Sequence, residues 1–189
     1  MAFGLLCAFL VLAAALAGAR LTRRVRPLWY AVGLIFTGWS LFAPDSLPAG
    51  ELRSPSSLLL GLTLSLLSAL HVYWAFGGRG GFAVAIPEIQ GSPAFRPPPW
   101  MTLVVAVMLA FAASLSFYVG LIASHPPPSQ PVHVATFVMG GVFLLRAFGD
   151  FRYVGVFKSI RDTGFARWDD LLFNPLCWWI GTLACWSAR

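Results

Sequence analysis

The residues best suited to chemistry are a histidine near the end of one apolar run and a charged group that follows another. His71 lies well inside a run of apolar residues, where an ionisable side chain is costly and marks a candidate functional site. Arg146 and Asp150 are four residues apart, so they share a face if one helix continues through both. In that arrangement His71 would act as an acid or base, and Asp150 would orient it. Arg146 or Arg152 would hold an anionic group.

This group predicts a polar pocket for a lipid-like molecule or another small polar substrate. The candidate lining is His71, Tyr73, Trp74, Glu88, Arg146, Asp150 and Arg152. Two structural alternatives stay open. Buried charges need partners, so Arg146 and Asp150 could belong to a salt-bridge network that only stabilises the fold. A neutral His71 could simply donate one hydrogen bond to a neighbouring helix.

Neither a metal site nor a cofactor is predicted. His125 and His133 lie at the opposite ends of their helices from His71, too far away to share a haem or metal with it. Cys7, Cys177 and Cys185 are an odd number of cysteines without a CxxC pair, which argues against a zinc site and against a disulfide framework. The sequence also contains no GxSxG or HExxH pattern.

The composition indicates an integral membrane protein. Of the 189 residues, 58% are hydrophobic and only 11% are charged, and the mean hydropathy is +0.76. A soluble chain of this size has too large a surface relative to its volume to bury so many apolar residues. About a quarter of the residues of a soluble protein are normally charged, which is far more than here. The net charge of +6 does not indicate nucleic-acid binding, because the basic residues fall between apolar runs.

Apolar runs predict an all-α, polytopic helical bundle with six transmembrane helices. The runs are residues 2–19, 28–43, 57–77, 100–123, 132–148 and 175–188. We divide the chain into a two-helix extension (1–56) and a four-helix membrane core (57–189). The first run has the length of a signal peptide, but no basic residue precedes it, so we expect a retained helix. The second run is short, which leaves its crossing of the bilayer open.

Basic residues predict how the bundle is oriented. Alternate connections between the six runs carry eleven Lys and Arg residues on one side and two on the other. Because basic loops stay in the cytoplasm, this count places both termini outside the cytoplasm. The expected location is the inner (plasma) membrane of a bacterium.

The cytoplasmic side then contains the stretch Arg146–Pro175, which holds nine of the twenty charged residues. Within it, residues 151–168 are basic and rich in aromatic side chains, which is typical of a segment that lies in the membrane interface. Lys158, Arg161 and Arg167 are its predicted contacts with lipid headgroups. Asp169 and Asp170 would form the first turn of the last helix, where acidic residues complement the helix dipole.

Two stretches carry a family resemblance. Residues 71–78 (HVYWAFGG) and 145–177 (LRAFGDFRYVGVFKSIRDTGFARWDDLLFNPLC) resemble the bacterial membrane proteins of domain of unknown function family 3995. The resemblance covers about residues 57–188, and the pair Phe173-Asn174 departs from the Tyr and Ser expected there. It implies a multi-pass membrane bundle and no established activity.

Three functions remain for comparison. The leading hypothesis is a small non-enzymatic membrane protein whose basic cytoplasmic face contacts anionic lipid or another membrane protein. The alternative is a membrane-embedded enzyme or binding protein with the pocket described above. A small transporter ranks third, because transporter sites typically lie at broken helices near the bilayer midplane and the predicted spans carry no acidic residue there.

Overall fold

A computed structural model of the protein describes residues 49–89, 92–121 and 129–188, with side chains from residue 55 onward. Its elements are helices α1 (Ala49–Ala75) and α2 (Phe82–Ala85), strands β1 (Glu88–Ile89) and β2 (Ser92–Pro93), helices α3 (Pro99–Leu121), α4 (Gln130–Phe148) and α5 (Gly164–Trp168), a π turn (Asp169–Phe173) and helix α6 (Asn174–Ser187). The two short strands pair antiparallel. The predicted helices at 2–19 and 28–43 lie outside the described residues.

The described part is mainly helical, as the apolar runs predict. Three of its helices are long and apolar enough to cross a membrane: Pro55–Ala75, Pro99–Leu121 and Gln130–Phe148, with hydropathies of 1.7, 2.2 and 1.5. These spans agree closely with the predicted runs 57–77, 100–123 and 132–148. Helix α6 matches the predicted run 175–188, and with α5 and the π turn it forms a helical segment that begins at Gly164.

The helices pack as two pairs around a small apolar core. Helix α1 packs on α3, and α4 packs on α6, which also contacts α1. Leu60 and Leu64 of α1 meet Ile180 and Ala184 of α6 in this core. No residue of α6 is exposed, so this helix lies at the centre of the described part.

Glycine brings α4 and α6 close together. A Cβ on Gly140 would lie 2.9 Å from the carbonyl oxygen of Gly181, and a Cβ on Gly181 would lie 2.9 Å from that of Gly140. Small residues of this kind let two helix backbones pack closely. Such close packing is important in a membrane, because the hydrophobic effect does not drive helices together there.

The outer faces of the helices are apolar. The large exposed side chains on α3 and α4 include Val107, Met108, Phe111, Val138 and Val142. No charged residue occurs between Arg96 and Arg146. An outer surface with so many large apolar side chains and no charge is suited to contact with lipid hydrocarbon rather than water.

Most of the charged side chains of the described part lie at one end of the bundle. The end of α1, the start of α3, the end of α4 and the start of α6 meet there, because successive helices run in opposite directions. We call this region, residues 71–98 and 146–173, the charged end. Glu88 links its two halves, since Oε2 of Glu88 accepts a hydrogen bond of 3.3 Å from the backbone N–H of Gly164. At the opposite end, Nδ1 of His133 donates to the carbonyl oxygen of Ala188 across 2.7 Å.

Candidate functional site at the charged end

Helix α4 ends in a tight turn built around Asp150. Gly149 follows the helix with φ +96°, a left-handed conformation that glycine adopts easily. Oδ1 of Asp150 then accepts hydrogen bonds from the backbone N–H groups of Arg152, Tyr153 and Val154, at 2.9, 2.7 and 2.9 Å. The carboxylate therefore holds three consecutive backbone donors that would otherwise lack partners.

These hydrogen bonds decide the acidity of Asp150. Burial by itself raises the pKa of the carboxyl group, but the N–H donors of Val154, Tyr153 and Arg152, with that of Asp150 itself, outweigh it and lower the pKa below the ordinary 3.8. Asp150 is therefore ionised at neutral pH and is engaged by the backbone.

The chain next crosses back over the end of α4. A Cβ on Gly149 would collide with the carbonyl group of Val154, and a Cβ on Gly155 would collide with the backbone of Gly149. Val156 donates its N–H to the carbonyl oxygen of Ala147 at 3.0 Å. Glycine at both positions is therefore required for the crossing, which places Lys158 under the helix end.

Lys158 is the centre of a chain of ion pairs. It is 1% exposed. Its Nζ lies 2.8 Å from Oδ2 of Asp169 and 2.5 Å from Oδ1 of Asp170. Arg146 extends the chain on one side, with Nη2 2.8 Å from Oδ1 of Asp169, and Arg161 extends it on the other, with Nη1 3.8 Å from Oδ2 of Asp170. Three cations and two carboxylates thus alternate through the interior of the charged end.

Asp169 has a full set of partners. Besides Arg146 and Lys158, it accepts a hydrogen bond of 2.9 Å from the backbone N–H of Gly155. A buried carboxylate needs several donors to offset its lost hydration. The two arginines are less well matched, because Nη1 of Arg146 and Nη1 of Arg161 are buried without a hydrogen-bond acceptor in the described part of the chain.

The π turn lets two residues of one helical segment face this interior. The N–H of Asn174 bonds the carbonyl oxygen of Asp169, five residues earlier. In a regular α-helix, residues five apart point about 140° away from each other. The wider turn reduces that difference, and both Asp169 and Asn174 are fully buried. Pro175 favours the wider turn because it has no N–H to donate to the preceding turn.

Asn174 fastens the π turn to the crossing. With the amide oriented by its hydrogen bonds, its nitrogen donates to the carbonyl oxygen of Ala147 at 2.9 Å, and its oxygen accepts from the N–H of Val156 at 3.1 Å. Asn174 and Pro175 begin α6 directly after the wide turn.

The expected pairing of Arg146 with Asp150 is therefore replaced by another. Arg146 pairs with Asp169, because α4 ends before Gly149 and does not carry Asp150 onto the same face. The expectation that Lys158 contacts lipid headgroups is wrong, because its ammonium group is buried against Asp169 and Asp170. The lone lysine of the chain is a structural ion.

The other two predicted headgroup contacts differ from Lys158. Arg161 is half-buried and donates to the carbonyl oxygen of Val156 at 2.9 Å, whereas Arg167 is exposed. Residues 151–163 form irregular turns, and regular helix begins only at Gly164, after Thr163 accepts a capping hydrogen bond from the N–H of Ala166. Contact of this segment with lipid stays a prediction.

A second turn at the charged end contains the motif that begins with His71. Helix α1 ends in a Schellman motif, in which the N–H of Gly78 bonds the carbonyl oxygen of Tyr73 and that of Gly77 bonds Trp74. Gly77 has φ +90°. We call residues 71–81 the aromatic turn, because its loop then folds back over two ring systems.

The rings of the aromatic turn bind the loop directly. The hydroxyl of Tyr73 accepts a hydrogen bond of 3.2 Å from the N–H of Gly80, and Nε1 of Trp74 donates to the carbonyl oxygen of Gly80 at 2.8 Å. A Cβ on Gly78 would overlap the Tyr73 ring. His71 packs against Trp74 with ring centroids 5.0 Å apart, and its Nδ1 bonds the carbonyl oxygen of Leu67 at 2.8 Å. The interactions of His71 among the described residues thus stay within α1.

The seven residues predicted to line one pocket make their contacts in separate places. His71, Tyr73 and Trp74 belong to the aromatic turn, Asp150 and Arg152 to the turn after α4, Arg146 to the ion pairs, and Glu88 to the start of α5. A shared pocket stays a prediction. In residues 49–89, 92–121 and 129–188, no three His, Cys, Asp or Glu residues are grouped so that they could hold a metal ion.

Asp169, Asp170 and Asn174 are the residues that sequence reasoning did not include in the site. Their signal was the presence of two adjacent acids beside an apolar helix, together with a single lysine 11 residues earlier. Buried charges need partners, so that combination pointed to a pair. The π turn, which carries Asp169 and Asn174 inward together, has no comparable sequence signal.

Comparisons with known proteins give one result. A family model described as "Protein of unknown function (DUF3995)" matches residues 64–184, which includes both turns and the ion pairs. No curated protein and no solved structure matches the chain.

Proposed function

The chain belongs to the DUF3995 family, whose description assigns no activity, and we propose from its charged end that it is a non-enzymatic, multi-pass membrane protein that binds anionic lipid headgroups there. The observation that carries the proposal is the different placement of acids and bases. Asp169 and Asp170 are turned inward to Lys158, while Arg152 and Arg167 remain exposed. The ratio of basic to acidic residues is therefore higher among the exposed side chains of this end than in its whole composition.

Exposed aromatic residues support a membrane boundary at the same level. Around the charged end they are Tyr73, Phe76, Phe95, Trp100, Phe148, Phe151, Phe157 and Trp168. Aromatic rings concentrate where hydrocarbon meets headgroups, because that region accepts both their apolar faces and their polar edges. Arg152 adds a guanidinium group 5.1 Å from the centre of the Tyr153 ring, and it is exposed beside these aromatic residues.

Structural roles also account for the residues that suggested catalysis. Asp150 holds backbone N–H groups, Arg146 pairs with Asp169, and His71 bonds its own helix. These contacts support a non-enzymatic reading over the embedded enzyme.

The proposed architecture has six transmembrane helices, two of them before the four-helix core. In this arrangement the charged end faces the cytoplasm of a bacterial cell, and both termini lie outside it. The imbalance of eleven against two basic residues between the two sides supports this orientation.

The test compares lipid binding in variants that remove or keep charge. Arg152→Gln combined with Arg167→Gln removes two of the four exposed arginines of the charged end, of which the others are Arg79 and Arg96. Arg152→Lys combined with Arg167→Lys keeps both charges. Native mass spectrometry would count phosphatidylglycerol and phosphatidylcholine molecules retained from mixed-lipid nanodiscs. We expect the Gln variant to lose roughly ten- to thirtyfold in preference for phosphatidylglycerol, at about 1 kcal/mol per basic residue, and the Lys variant to keep it. Equal preference in all three proteins would reject the proposal.

A further inference from the structure

A column of aromatic rings runs from the core of the bundle to the surface of the charged end. Trp178 lies 5.2 Å from Phe148, Phe148 lies 6.2 Å from Phe157, and Phe157 lies 5.9 Å from Phe151, between ring centroids. Exposure rises along the column from 5% to 39%, 54% and 68%. The last ring is therefore supported from below and uncovered above.

The backbone of the outermost ring is unusual. Phe151 has φ +61° and is the one residue other than glycine with a positive φ in the described part. That conformation is unfavourable for a residue with a side chain, and glycine or asparagine would adopt it more readily. A bulky apolar residue in this position has two costs in water. Its backbone has a positive φ, and its ring exposes apolar surface.

The surrounding bonds fix Phe151 in that conformation. Asp150 before it accepts three backbone N–H groups. The carbonyl oxygen of Phe151 accepts from both the N–H and the hydroxyl of Ser159, at 3.2 and 3.1 Å. The ring is therefore held outward by a closed turn, and a strained residue held in this way indicates a function for the side chain.

The position of the column identifies what covers it. Its second ring, Phe148, is the last residue of α4, a helix long and apolar enough to cross a membrane, so the tip of the column lies where the bilayer boundary would fall. Arg152 follows Phe151 directly and is exposed. An apolar tip next to arginines complements a membrane that has hydrocarbon below and anionic phosphates above.

We propose that Phe148, Phe157 and Phe151 form a rigid wedge whose tip inserts among the acyl chains just below the headgroups of an anionic bilayer. The wedge rests on the proposed function, which it extends from headgroup binding to insertion. It fixes the depth of the charged end because the tip cannot withdraw without unfolding the Asp150 turn. A lipid acyl chain is thus the partner of the outermost ring.

The test uses a photoreactive ring at the tip. The full chain, with p-benzoylphenylalanine in place of Phe151, is reconstituted in vesicles of phosphatidylglycerol and phosphatidylcholine, irradiated, and analysed by mass spectrometry. We expect covalent adducts to lipid acyl chains. The same probe in place of Asp162, an exposed residue of the same stretch, should give at least tenfold less acyl adduct.

Three outcomes would overturn the wedge. The first is cross-linked dimers at position 151, which would make a second copy of the chain the partner. The second is adducts to headgroups alone, and the third is consumption of the probe without adducts. The variant Phe157→Ala provides a second measurement, because removal of the supporting ring should reduce the acyl adduct at position 151 severalfold. The two proposals can fail separately. If the Arg152 and Arg167 variants lose the preference for phosphatidylglycerol but the probe at position 151 gives no acyl adduct, headgroup binding is supported and insertion is rejected.

Discussion

The aromatic turn and the turn after α4 close the same end of the bundle with different chemistry. The aromatic turn uses neutral hydrogen bonds from rings to backbone, through Tyr73 and Trp74. The other turn uses a carboxylate on backbone N–H groups and a buried chain of ion pairs through Lys158. Each turn depends on glycine with positive φ, at Gly77 in the first and Gly149 in the second.

The difference follows from where each turn lies. The aromatic turn is largely exposed, so its few backbone groups can be satisfied by neighbouring rings or by the polar boundary. The second turn exposes Asp150 and Arg152, but its crossing over the end of α4 buries Lys158. Each charge that it carries inward therefore requires a partner. Both stretches that carry the family resemblance therefore contribute turn contacts at the charged end.

The largest expected effect is in the ion pairs. Lys158→Met removes the cation between Asp169 and Asp170 and leaves both carboxylates without it. We expect a loss of about 3–5 kcal/mol in the free energy of unfolding, measured by SDS titration in mixed micelles. Arg167→Met, at an exposed position, is the control and should change stability by about 0.5 kcal/mol or less. A loss below about 1 kcal/mol for Lys158→Met would show that the ion pairs are not what distinguishes the two turns.

Glycine substitutions compare the two turns directly. Gly149→Ala combines a positive φ with a collision against the carbonyl group of Val154, whereas Gly77→Ala has the positive φ but nothing within 4 Å of the new methyl group. We expect losses of about 3 kcal/mol or more and about 1–2 kcal/mol, by the same titration.

Gly141→Ala is the control for both glycine substitutions, since Gly141 lies within α4 with open space around it. It should stabilise the protein by roughly 0.5–1 kcal/mol because alanine favours helix. Equal losses for Gly149→Ala and Gly77→Ala would contradict the backbone crossing after α4.

Acid should weaken the second turn more than the first. The lowered pKa of Asp150 means that its contribution is complete above the ordinary value of 3.8 and is lost as the pH falls through the lower value in the folded protein. We expect the unfolding free energy of the natural protein to fall below about pH 4 more steeply than that of Asp150→Asn, by about 1 kcal/mol because the site is largely exposed. Parallel pH profiles would show that the carboxylate of Asp150 does not stabilise the second turn.

The smallest effect is expected in the aromatic turn. Tyr73→Phe removes the hydroxyl that accepts from the N–H of Gly80 but keeps the ring under Gly78. Because the hydrogen bond is exposed, the loss should be about 0.5–1 kcal/mol in the same unfolding assay. A loss as large as that of Lys158→Met would show that the two turns are held with comparable strength.

The sequence was informative where the physics is local. Apolar runs predicted α3 and α4 closely, and the run 57–77 predicted the end of α1 to within two residues. The partners of Arg146 and Lys158 were not predictable in the same way, because they depend on where α4 stops and on the π turn that carries Asp169 inward. A lysine among aromatic residues has the same pattern whether it faces lipid headgroups or a buried carboxylate.

The burial of Lys158 can be measured through its chemical reactivity, since it is the one lysine in the chain. The protein in nanodiscs would be treated with an amine-reactive reagent and Lys158 modification measured by peptide mass spectrometry, with SDS-unfolded protein as the reference. If Lys158 is buried between Asp169 and Asp170, its labelling in the folded protein should be at least a hundredfold slower than in the unfolded one. Labelling at a similar rate in both states would place Lys158 at the surface and contradict the ion-pair core of the charged end.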